Sequence, residues 1–130
     1  MSEQDAVALL PCWRGPVSVE PLSGGLSNRN YLVWDARGRH VARLGRDFPF
    51  HHVSRMREAM VACAAHEAGF GPAVTYTAEG VMVTDYLSAK PLTAEDVRAS
   101  PDRIGRLLGD FHSDMPARIT GPGFILWPFH

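Results

Sequence analysis

The chain has 130 residues, 45% of them hydrophobic and 21% charged, a composition suited to a single soluble globular unit. Thirteen basic residues against fourteen acidic ones give a formal charge of -1, so bulk electrostatics give no reason to expect nucleic acid or an anionic membrane as partner. No apolar run is long enough to cross a bilayer.

The N-terminal stretch MSEQDAVALLPCW is acidic at its start, lacks a basic segment and does not read as a secretory signal. Cys12 and Cys63 are the only cysteines. Two isolated thiols are expected to be ordinary and semi-buried, in a reducing compartment, with the cytoplasm as the default location. Residues 17–22 read as a first strand, bounded by Gly15-Pro16 and by the polar knot SGGLSN. Residues 30–34 are β-favouring, and DARG supplies turn chemistry. RHVARL follows as a third strand, with Arg43 interrupting its apolar pattern.

After the loop GRDFPFHH the period changes. Val53, Met56, Met60, Cys63, Ala64 and Glu67 recur at helical spacing over residues 52–68, ended by Gly69 and Gly71-Pro72. AVTYT and VMVTDYL, joined by a turn at residues 78–80, read as a hairpin. SAKPL is a connector. Thr93 with Asp96 offers a capping-box start for a short helix, and Ser100-Pro101 a second start, with Ser as N-cap. The helix from there carries Ile104, Leu107, Leu108 and Phe111 on one face and ends before Pro116. The tail is apolar through Phe124, Ile125, Leu126, Trp127 and Phe129, with no element of its own to pack upon, as expected of a chain cut inside a larger protein.

The expected fold class is therefore α+β: a five-stranded antiparallel sheet with a helix inserted after the third strand, followed by helices. A loop of glycines and small polar residues lets several backbone N–H groups approach an anion, because no Cβ blocks the way. Ser23, Gly24, Gly25, Ser27 and Asn28 form such a loop. It is not a P-loop, since no Gly-Lys-Ser/Thr follows, nor a dinucleotide fingerprint, since strand follows it rather than helix. A charge inside an apolar strand is costly unless exposed or paired. Glu58 on the next helix is one candidate partner for Arg43. The other reading leaves Arg43 solvated and Glu58 paired locally with Arg55 or Arg57. His51, His52, His66, His112 and His130 have no zinc-ligand spacing, so no metal site is expected in this chain.

The string PLSGGLSNRNYLV, HVARL, REA, AGFGPAV, VMVTDYLSAKPLT and IGRLLGDFHS resembles, in order and spacing, the N-terminal lobe of the choline kinase and aminoglycoside phosphotransferase family. These are small-molecule kinases of protein-kinase-like fold. The resemblance implies that Ser23, Gly24, Gly25, Ser27 and Asn28 cover ATP phosphates, that Arg43 meets those phosphates, and that Glu58 holds Arg43. It makes Asp85, Tyr86 and Leu87 the hinge that binds adenine through backbone atoms. Val33, Ala42 and Leu44 are assigned to the core in preference to the adenine pocket. Residues 1–87 would be the lobe, and 88–130 the hinge and first helices of a truncated second lobe.

The catalytic H-x-D-x-x-x-x-N loop is not found. His112-Ser113-Asp114 imitates its beginning, but Ile119 stands where asparagine belongs. The magnesium ligands would lie in the missing lobe too. The implied activity belongs to the parent: transfer of the ATP γ-phosphate to a hydroxyl of a choline-like or aminoglycoside-like acceptor. The alternative is a non-enzymatic interaction module, a free-standing lobe. The oligomeric state stays open, with the apolar tail as a candidate for self-association.

Overall fold

A computed structural model describes residues 1–23 and 29–121. The expected sheet is present, all antiparallel, from β1 (Ser18–Leu22), β2 (Arg29–Asp35), β3 (Gly38–Leu44), β4 (Val74–Ala78) and β5 (Val81–Asp85). The spatial order is β1-β2-β3-β5-β4. The first three strands form a meander. The chain then crosses through α2 (Arg55–Glu67) and returns as the β4–β5 hairpin, whose second strand pairs with β3.

An N-terminal helix that the sequence reading did not anticipate, α1 (Glu3–Ala8), is closed by a capping box between Ser2 and Asp5. Val7 from α1 joins Tyr31, Val33, Ala42 and Val83 in the buried cluster, with Leu10, Trp13, Val19, Leu44 and Tyr76 packed around them. Val33, Ala42 and Leu44 are thus core residues on the α1 side of the sheet. Val33 and Val83 are fully buried, each contributing about 1.5–3 kcal/mol. Strand alternation sends Leu32, Val41 and Arg43 to the opposite face, opposite Thr84 and Met82 of β5.

α2 begins three residues later than its period suggests. Phe48 and Val53 form an isolated bridge around a 3₁₀ turn, Pro49–His51, and His52 is left-handed, so the N-cap falls on Ser54. The helix ends in a Schellman motif. Gly69 (φ 84°) donates to His66 O at 3.0 Å, and Phe70 donates to Ala65 O at 2.7 Å. Of the residues that carried the helical period, Ala64 is buried, whereas Met56 is 81% exposed and Cys63 is exposed. The apolar stripe through Met56, Met60 and Cys63 faces an open groove against β4 and β5.

β5 stops at Asp85, two residues short of the expected strand, and Tyr86 and Leu87 leave the sheet. α3 (Ala94–Ala99) starts on the Thr93–Asp96 capping box, as the spacing predicts. α4 (Pro101–Asp114) starts at Pro101, but the Ser100 side chain does not cap it. Ser100 also terminates α3, donating its N–H to Val97 O, and its backbone is set by that role. A 3₁₀ turn, Met115–Arg118, follows α4. The apolar tail lies outside the described residues, as do Gly24, Gly25, Ser27 and Asn28 of the polar loop.

Candidate functional site

The strand register decides where the ends of the polar loop sit. Leu22 pairs with Asn30, and Asn30 with Arg43, so the end of β1 and the start of β2 lie at the Arg43 end of the sheet. Ser23, the residue that follows β1, is exposed.

Arg43 reaches across to α2, where its Nη1 donates to Glu58 Oε1 at 2.5 Å. Glu58 occupies the first turn of α2, where the helix dipole favours a carboxylate. Its other oxygen, Oε2, accepts from Arg55 Nη1 at 2.6 Å. Arg55 is anchored in turn, its Nε donating to Arg46 O at 2.9 Å and its backbone N–H to Asp47 Oδ1 at 2.8 Å. Both pairings weighed from the sequence therefore exist together: Glu58 bridges Arg43 and Arg55. Arg57 turns away and donates to Thr120 O.

Two guanidinium groups on one carboxylate leave a net positive charge. The Arg43 side chain stays 41% exposed, which keeps its unused donors accessible. Burial pushes the Glu58 carboxyl up, but the hydrogen bonds and charges of Arg55 and Arg43 outweigh it and hold the group below its ordinary 4.5. A carboxylate depressed in this way stabilises the fold fully above its unfolded value, and loses that contribution as pH falls through the lower folded value. Thermal melts of wild type and Glu58→Gln should therefore differ at about pH 7 and converge only as pH falls through the lowered folded-state value. A constant difference across that range would show that the pairing carries no such stability.

At the opposite end of β3 stands a second cluster. Asp35 is closed to water and gathers five donors: the backbone N–H groups of Arg14 (3.0 Å) and Arg37 (2.8 Å), Arg37 Nε (3.1 Å) and Nη2 (2.8 Å), and His40 Nε2 (3.0 Å). Burial raises the Asp35 carboxyl, yet these donors prevail and hold it far below the usual carboxylate range. His40 is 4% exposed, tilted against Trp13, with Nδ1 3.6 Å from Asp85 Oδ1. His40 and Asp85 are also strand partners.

The hinge candidates begin here. The Asp85 N–H donates to Ala73 O and the Tyr86 N–H to Arg39 O, while the Arg39 guanidinium lies 4.7 Å from the Tyr86 ring centroid. Leu87 is 57% exposed. Because the sheet already engages the amides of Asp85 and Tyr86, any backbone donor to a ligand in this stretch would come from Leu87 onward. The sequence reading did not single out Asp35 or His40. Its available signals were the Asx-type turn DARG and a histidine alternating with the buried Ala42 on one strand face.

Among the described residues, no group of three or more His, Cys, Asp or Glu side chains is placed to hold a metal ion. No described helix is long and apolar enough to cross a membrane.

A five-stranded antiparallel sheet, a helix inserted after its third strand and a strand cation held by a carboxylate on that helix define a kinase-like N-lobe. The profile of the Phosphotransferase enzyme family (APH) matches residues 18–126, and the chain belongs to that family. Among solved structures, it is similar to the Plasmodium vivax ethanolamine kinase, with a TM-score of 0.61 at 16% identity over 75% of this chain and 27% of that one. It is also similar to the choline kinase from Cryptosporidium parvum Iowa II, with a TM-score of 0.53 at 16% identity over 65% of this chain and 24% of that one. The chain thus spans about a quarter of the length of each. No curated protein sequence matches it.

Proposed function

We propose that this chain is the ATP-binding N-terminal portion of a small-molecule kinase, whose intact form transfers the γ-phosphate of ATP to a hydroxyl of a choline-like or aminoglycoside-like acceptor. The observation that carries this reading is the half-exposed Arg43, fixed by Glu58 at the sheet end where the glycine-rich loop joins its strands. Three residues of extended chain, about 10 Å, separate Arg43 from His40 and its strand partner Asp85. That spacing suits phosphates at one end of β3 and a base at the hinge. Ser23, Gly24, Gly25, Ser27 and Asn28 would offer N–H and hydroxyl donors to the phosphates. Arg43 would neutralise them, and the stretch from Asp85 to Leu87 would meet adenine through its backbone. In phosphoryl transfer, the protein contributes mainly positioning and charge stabilisation, with magnesium neutralising phosphate charge. The base and the magnesium ligands would come from a further lobe, and the isolated chain would bind ATP weakly without turnover.

Calorimetric titration of the chain with a non-hydrolysable ATP analogue tests this. Binding should be measurable in wild type and lost in Arg43→Ala. Equal binding by wild type, Arg43→Ala and Glu58→Ala would place the phosphates elsewhere.

A second reading, a non-enzymatic interaction module, is favoured by the apolar face of α4, where Leu107 and Leu108 remain 49% and 50% exposed. A defined oligomer in light scattering, together with no nucleotide binding, would favour it.

A further inference from the structure

The buried imidazole of His40 has one nitrogen engaged and one without a partner. Its side chain is 5% exposed and lies between the strand partners Val33 and Asp85, with the Trp13 ring tilted against it at 5.6 Å between centroids. Nε2 stands 3.0 Å from Asp35 Oδ1. The Asp35 carboxyl is held far below the usual carboxylate range, so it only accepts, and Nε2 is the nitrogen that carries the proton of the neutral ring. Nδ1 is then a bare lone pair. It is buried and has no hydrogen-bond partner among the described residues, yet it stands 3.6 Å from Asp85 Oδ1, another acceptor.

A second proton on the ring turns that opposition into attraction. Nδ1–H of the imidazolium would donate to Asp85, and the ring would join two carboxylates, Asp35 in the interior and Asp85 at the start of the hinge stretch. Asp85 is 50% exposed, so water that supplies the proton has access to this side of the ring. The other groups that face this cluster keep their charge near neutral pH. Arg37, bonded to Asp35, and Arg39, lying over the Tyr86 ring, are always cations. Burial pushes the Cys12 thiol up, and Arg14 meets Asp35 through its backbone N–H. The hinge also follows β3 directly, since the Tyr86 N–H donates to Arg39 O at 3.1 Å, one residue from His40.

We propose that His40 is a positioning residue for the hinge: on protonation, its Nδ1–H bonds the Asp85 carboxylate and fixes the backbone from Asp85 to Leu87. This latch stands on the geometry of His40, Asp35 and Asp85 alone. Its use, presenting the backbone from Leu87 onward to adenine, rests on the ATP-binding reading.

In the ¹⁵N-labelled full chain, the His40 ring nitrogens and the amide lines of Tyr86 and Leu87 can be followed from about pH 8 to about pH 5, where histidine ordinarily changes charge. Nε2 should stay protonated throughout, Nδ1 should gain a proton, and both amide lines should move with the same midpoint. Asp85→Ala should abolish that movement while the ring still titrates. A neutral ring protonated on Nδ1, or amide lines that ignore the ring, would overturn the proposal, and both are read in the unmutated chain. Amide lines that move alike in Asp85→Ala would overturn it too, leaving only a through-space effect of the charge. Calorimetric titration with a non-hydrolysable ATP analogue separates the latch from its use. His40→Gln keeps a donor for Asp35 but cannot titrate. The affinity of wild type relative to this variant should rise about two- to fivefold from about pH 8 to about pH 6, the worth of one half-exposed ion pair. An unchanged ratio would overturn the positioning role. Coupled amide lines without analogue binding at any pH would uphold the latch and refute the ATP-binding reading alone.

Discussion

In an intact kinase carrying this lobe, Arg43→Ala lowers kcat/KM for ATP by about 10²- to 10³-fold, the usual cost of removing one preorganised charge from a phosphoryl- or acyl-transfer site. The expectation follows from geometry. Arg43 is placed by the β2–β3–β5 register and oriented by Glu58, so it would meet a phosphate without first giving up conformational freedom. Arg43→Lys should recover part of the loss, since the charge returns without the planar fork. Glu58→Gln should cost less than Arg43→Ala, because the phosphate contact itself would remain and only its orientation would loosen. Their coupling, measured by a double-mutant cycle on kcat/KM, should be clearly non-additive. Near-normal turnover by Arg43→Ala, or strict additivity of the pair, would remove Arg43 from the phosphate role.

The second large effect concerns stability. Asp35→Ala is expected to destabilise the chain by about 2–3 kcal/mol, read from the urea midpoint at unchanged slope. The substitution strands two backbone N–H groups, two guanidinium donors and His40 Nε2, which all converge on this one carboxylate. Arg37 is 34% exposed, so solvent screens the pair and holds the loss below the 3–5 kcal/mol typical of deeply buried ion pairs. Asp35→Asn retains acceptor oxygen and should lose less. Because the folded-state carboxyl lies below its ordinary 3.8, the wild-type advantage is complete above that value and fades as pH falls through the folded value. A midpoint unchanged in Asp35→Ala would mean that the cluster is incidental to the fold. A large loss would make it the fastener between the N-terminal segment, β2 and the hinge.

Local chemistry was enough for most of the elements. Alternating β-favouring runs, the Gly69 stop, the Thr93–Asp96 box and Pro101 each specify a short segment through its own backbone preferences, and those segments form where expected. The kinase-like order of strands and helix was legible for the same reason: order is a property of the sequence. What the chain alone determined was therefore the succession of strands and helices after α1, the polar loop and the candidate charges Arg43 and Glu58. Tertiary structure decided the rest, because it depends on which distant segments meet. Only the placement of α2 beside the sheet could show that Glu58 serves Arg43 as well as Arg55. A helical period identifies a stripe but not the surface opposite, so the exposure of Met56 and Cys63 became visible only once α2 was set against β4 and β5. The burial of Asp35 and His40 likewise required the stretch after α1, with Trp13 and Arg14, to fold against them. Burial and pairing are products of assembly, and no local pattern carries them.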